Sequence, residues 1–78
     1  MTMPRIPGQV ALDYIDDIMG ANQDEKGNTW VMQDTDVHLA HATEHLFKYN
    51  QEGDMEEDHL AHAITRIAMA LAIRDGKV

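Results

Sequence analysis

Seventy-eight residues allow one domain with a small core, so oligomerisation is expected to supply part of the stability. Fourteen Asp and Glu against six Lys and Arg give a formal net charge of −8, and the cations Arg5, Lys26, Lys48, Arg66, Arg74 and Lys77 are scattered, which excludes a surface that tracks DNA, RNA or an anionic membrane. The absence of cysteine excludes disulfides and thiolate metal sites, and no stretch approaches the ~20 apolar residues of a membrane span, so a cytoplasmic protein is expected.

Val10, Ala11, Tyr14, Ile15, Ile18 and Met19 share the i, i+3/i+4 spacing of one helical face, which predicts a first helix over 10–19 between Pro7-Gly8 and Gly20. Asp13, Asp16 and Asp17 take its solvated side. The polar stretch 21–28 reads as a loop, and Trp30, Val31 and Met32 as a docked apolar turn. A second helix is predicted over 35–49, capped by Asp34 or Thr35, with Leu39, Ala42, Leu46 and Tyr49 as its seam. After a turn at 50–54, Asp54 and Glu57 stand at capping-box spacing. They predict a third helix over 55–74, with Leu60, Ala63, Ile64, Ile67 and Leu71 as its seam and Gly76 just beyond its end. Nothing alternates as a strand would. The expected fold is all-α: a single domain over 1–78, built as a small helical bundle with a central antiparallel helical hairpin and completed by homo-oligomerisation.

The pentapeptide HLAHA occurs at 38–42 and again at 59–63, and the two copies hold four of the five histidines. In each copy the histidines lie three residues apart, on one helical face beside the seam leucine. With the turn near residue 52, antiparallel pairing sets His45 opposite His59, His41 opposite His62, and His38 opposite Arg66. His41, His45, His59 and His62, with Glu44 and Asp58 close by, then form a candidate divalent-metal site. Neutral imidazole suits zinc, iron, nickel or copper, and carboxylates admit manganese or magnesium. The plainer alternative makes these histidines half-buried packing residues, bonded to one another, to carboxylates or to water.

Ile6-Pro7-Gly8, Gly20-Ala21, Asn28-Thr29-Trp30, His45-Leu46, Gly53 and the HLAHA of 59–63 follow one another in an order that resembles a phage-associated family, the N-terminal domain of dATP/dGTP diphosphohydrolase. That family is related to the all-α MazG-like nucleotide pyrophosphohydrolases. The match covers about residues 5–74, and HLAHA is its most specific piece. The resemblance implies a nucleoside triphosphate as partner, a divalent cation (Mg, Mn or Zn) bridging its phosphates, and attack by water to release pyrophosphate. By position, His59 and His62 fall where MazG-like enzymes carry an acidic ExxD pair. His41, Glu44 and His45 fall where those enzymes carry ExxE.

The roles that follow from the resemblance are metal binding or general-base work for Glu44 and Asp58, and metal or phosphate binding for the four histidines. Arg66 would take a phosphate, and Trp30 would stack on a base. The chain departs from the pattern by offering mainly imidazoles where the relatives offer carboxylates, and Asn22-Gln23-Asp24-Glu25 where a basic-aromatic pair is expected. Two expectations from other classes stand beside the hydrolase. One is a binding protein, acting in a host cytoplasm, that sequesters a nucleotide or blocks a host protein without turnover. The other is an oligomeric module whose histidine edge forms the subunit interface and loosens on acidification.

Overall fold

The structure is a computed structural model that describes residues 6–26, 29–55 and 57–77; Arg5, Asn28 and the last two positions of the expected 21–28 loop lie outside the described residues. The chain is all-α: helix α1 (Pro7–Lys26), a short 3-10 turn (Thr29–Met32), helix α2 (Thr35–Glu52) and helix α3 (His59–Arg74), with no strand among the described residues.

Helix α1 starts earlier and ends later than its apolar periodicity predicts. Pro7 is its first residue, where a missing N–H costs nothing, and the Gln9 and Val10 amides both donate to the Ile6 carbonyl. Gly20 does not stop it. A single helical glycine costs only about 1 kcal/mol against alanine, and Ala21, Gln23, Glu25 and Lys26 are strong helix formers, so most of the expected loop is helix.

Helix α2 runs on to Glu52, where Gly53 takes φ 67° and returns its amide to the Tyr49 carbonyl at 2.8 Å. Asp34 precedes it without a side-chain capping bond. Helix α3 begins at His59 instead of Met55, and the expected Asp54/Glu57 box is replaced by two separate bonds. Asp58 Oδ1 accepts from the Ala61 amide at 3.1 Å, and Asp54 Oδ1 from the His59 amide at 2.9 Å. Glu57 is thereby left outside the helix. At the far end the Gly76 amide donates to the Ile73 carbonyl and the Lys77 amide to the Ala72 carbonyl, the paired bonds of a Schellman motif.

Helix α3 is central, with α2 packed along it on one side and α1 on another. Of the predicted seams the hairpin buries only the alanines, Ala42 and Ala63. Leu39, Leu46, Leu60, Ile64, Ile67 and Leu71 are all 36–44 % exposed, and His38, His59 and Ala70 are buried in their place. On α2 the stripe facing α3 runs through buried His38 and Ala42 to half-buried His45, and on α3 through buried His59, Ala63 and Ala70 with half-buried Arg66, so the two helices meet through small and polar side chains. The alanines let the backbones approach, and the imidazoles find partners across the contact. On the opposite side of α3, Ala61 and Thr65 are buried, and the Thr65 hydroxyl donates to the Ala61 carbonyl. The 3-10 turn docks through Trp30, while Met32 stays 83 % exposed.

Candidate metal centre

The α2–α3 contact carries two polar pairs seven residues apart on each helix. His38 meets Arg66, and His45 meets His59, in the register predicted from the turn. Each pair is solved differently.

His38 is fully buried and uses both ring nitrogens. Its Nε2 lies 2.9 Å from the Trp30 carbonyl, which can only accept, so Nε2 carries the proton. Nδ1 is then an acceptor for Arg66 Nη1 at 3.1 Å, and the same nitrogen of Arg66 donates to Gln33 Oε1. The indole of Trp30 stands edge-on to the imidazole at 6.3 Å between centroids. This pair fastens the turn before α2 to both helices and leaves His38 no lone pair for a cation.

The second pair is open to ligation. His59 is buried, and its Nε2 lies 3.3 Å from Glu52 Oε1; the carboxylate accepts, so in the neutral ring Nδ1 bears the lone pair. That Nδ1 is 3.0 Å from Nδ1 of His45. Glu57 Oε1 completes a triangle, 3.6 Å from His59 Nδ1 and 3.8 Å from His45 Nδ1. Ligands at about 2.0–2.1 Å from a tetrahedral zinc stand about 3.3–3.4 Å apart, a value these three separations straddle. His45, Glu57 and His59 are a group of donors that could hold one ion. His62 borders it, with its ring stacked on His45 at 5.1 Å and its Nε2 3.8 Å from Glu57 Oε2.

Burial pushes the His45 imidazole below its ordinary pKa, opposed by the Glu57 carboxylate and reinforced by His62, His59 and Lys48. The neutral ring it favours is the form that binds metals. Beside the cluster lies a polar pocket of about 220 Å³ whose walls include Ile18, His45, Glu57, His62 and Arg66.

Of the residues the sequence singles out, the structure gathers His45, His62 and Arg66 around this pocket, with His59 buried behind His45. His41 is half-buried one turn before His45 and makes no hydrogen bond to the cluster among the described residues. Glu44 points away into an exposed pair with Lys48 at 3.2 Å, which holds its carboxyl below the usual range. Asp58 is committed to capping α3. Trp30 packs on His38 and is not part of the pocket wall. Two of the five histidines, His38 and His59, lie inside the hairpin, which leaves only the half-buried His41, His45 and His62 to an outer edge.

No family model, curated protein or solved structure matches this chain. Its chemistry is therefore argued from the cluster itself. The carboxylates that matter there are Glu57 and Glu52, which a motif search by helical spacing passes over. Glu52 had a signal: His38, His45 and Glu52 recur every seven residues on one stripe of α2, provided the helix reaches Gly53. Glu57, two residues before His59, is within reach of the imidazoles by sequence, but its place among them depends on α3 starting late.

Proposed function

We propose that this chain is a nucleotide-handling protein of the (d)NTP diphosphohydrolase type. In this reading it takes a nucleoside triphosphate through a divalent cation held by His45, His59 and Glu57. The observation that carries the proposal is that two of those donors, His45 and Glu57, line one polar pocket together with His62 and Arg66, with His59 buried behind them. An acidic chain repels a triphosphate unless a cation and a guanidinium face it, and this pocket offers places for both. Arg66 engages only Nη1 among the described residues, so its remaining donors are free for phosphate oxygens. The nucleotide itself rests on the resemblance described above. A bound cation would supply charge neutralisation and, where water occupies its open position, a nucleophile.

The donor set does not suit magnesium, which prefers a near-octahedral shell of oxygens, and it suits zinc or manganese better. Because Glu44 and Asp58 are both engaged elsewhere, a second reading has specific support: the nucleotide is held and not turned over. Calorimetric titration of chelator-stripped protein with dATP and dGTP, with and without Zn²⁺ or Mn²⁺, tests both readings when pyrophosphate is assayed on the same samples. Cation-dependent binding with pyrophosphate release is the expected outcome. Cation-dependent binding without release would select the sequestering form, and no binding under any condition would refute nucleotide handling.

The same chain is proposed to act as a homo-oligomer. The buried hydrophobics of the described residues are Ala42, Ala61, Ala63 and Ala70, too little apolar volume to hold three helices together alone. The leucine face of α2 and α3 instead opens on an apolar groove of about 520 Å³ that Val10 and Tyr14 of α1 also border. A covering needed for folding must be permanent, and a second copy of the chain, presenting the same face, supplies it.

A further inference from the structure

We infer that the cluster at the α2–α3 turn is a zinc-type transition-metal site whose ligands are Nδ1 of His45, Nδ1 of His59 and Oε1 of Glu57, with Glu52 setting the orientation of His59. The inference rests on reading this cluster as a cation site and not on the nucleotide. Its basis is the chemistry of the donors. Two imidazole nitrogens and one carboxylate oxygen, 3.0 to 3.8 Å apart, match a compact tetrahedral shell with one position left open. They offer magnesium one oxygen where it needs several.

Glu52 is the second, independent sign. Metal-bound histidines almost always donate their other N–H to a carboxylate, a backbone carbonyl or water, which fixes the tautomer and, with a carboxylate, raises the basicity of the ligating nitrogen. His59 does this already: Nε2–H to Glu52 Oε1, Nδ1 toward His45. In the metal-free chain His45 Nδ1–H donates to that lone pair; on metallation His45 moves its proton to Nε2, and both Nδ1 atoms become ligands with no net change in charge on either ring. Two of these donors, His45 and Glu57, line the polar pocket that His62 and Arg66 also wall, where a water or a phosphate oxygen has room.

The site also joins three segments, the middle of α2, the residues before α3 and its first turn. An ion there closes the 14-residue span from His45 to His59, so binding adds to stability.

The test is calorimetric titration of the chelator-stripped full chain with Zn²⁺, Co²⁺ and Mg²⁺ alone, without nucleotide, beside the visible spectrum of the cobalt form. Expected are one zinc per chain, the intense absorption of four-coordinate cobalt, and no heat with magnesium. Because His59 is buried and its loss would disturb packing, the deciding variants are Glu57→Gln and Glu52→Gln, with His41→Ala as the control. Glu57→Gln should lower zinc affinity at least tenfold and Glu52→Gln by about 10- to 100-fold, at unchanged helical circular dichroism, while His41→Ala leaves it as it was. Failure of zinc to bind, equal binding of magnesium, or indifference to both Glu57→Gln and Glu52→Gln would overturn the assignment. Zinc binding without any later nucleotide binding would uphold the metal site and refute nucleotide handling.

Discussion

His38 and His45 occupy equivalent places one heptad apart on α2, yet only one keeps a nitrogen available. The difference lies in what faces them: a backbone carbonyl and a guanidinium consume both nitrogens of His38, while His45 meets a second imidazole. Replacing His38 with leucine should therefore destabilise the fold by about 1–3 kcal/mol, because the Trp30 carbonyl loses its donor and Arg66 its acceptor. Urea unfolding measures this, and zinc affinity should be unaffected. The pH dependence follows from His45. Its folded pKa is lowered by burial, so the unfolded chain binds the proton more readily; stability from this group is full above the reference value near 6.5 and is lost as pH falls below it. A melting temperature of metal-free protein that declines between pH 7 and pH 5 is expected, and a flat or rising profile would contradict it. Zinc should shift the decline to lower pH, since the ion competes with the proton.

At the scale of helices, the turn between α2 and α3 does most to make the site. Gly53 sits at φ 67° and ψ −150°, a region open essentially to glycine, so Gly53→Ala should cost about 1–3 kcal/mol. Asp58→Ala should cost about 1 kcal/mol by removing the cap of α3, with no effect on pyrophosphate release beyond that loss of stability. A large fall in turnover at full stability would instead restore Asp58 as a catalytic group.

This turn also marks how far the sequence could be read. The helices, their order and the antiparallel register follow from periodicity and turn residues, and the register correctly paired His45 with His59 and His38 with Arg66; it also set His41 opposite His62, whereas the His62 ring stacks on His45. What could not be read was which stripe packs inward. Leucine periodicity marks an apolar face without saying whether the same chain covers it, and here the His/Ala stripe takes the helix contact. The late start of α3 was hidden for a local reason. Asp54, Glu57 and Asp58 all have capping chemistry, and only their competition decides that Asp58 caps, Asp54 supports and Glu57 remains for the imidazoles.

Over the whole molecule, the exposed leucines of α2 and α3 are what the proposed self-association would cover. Analytical sedimentation at micromolar concentration should find two or more chains per particle, and the melting temperature should rise with protein concentration. Ile64→Glu, placed in the middle of the exposed α3 stripe, should dissociate the assembly and reduce helicity together, because the apolar face then has no cover. A monomeric wild type with a concentration-independent melting temperature would refute self-association. The polar pocket lies apart from this face: none of Leu39, Leu46, Leu60, Ile64, Ile67 and Leu71 is in its wall, so assembly and cation binding should respond to different substitutions.

If His45, His59 and Glu57 hold one cation between α2 and α3, X-ray absorption at the zinc edge of the loaded chain must show it. A shell of three or four light ligands at about 2.0–2.1 Å, with the outer-ring scattering of two imidazoles that falls to one in His45→Gln, is the predicted result. A six-oxygen shell without imidazole scattering, or a spectrum unchanged in His45→Gln, would contradict it.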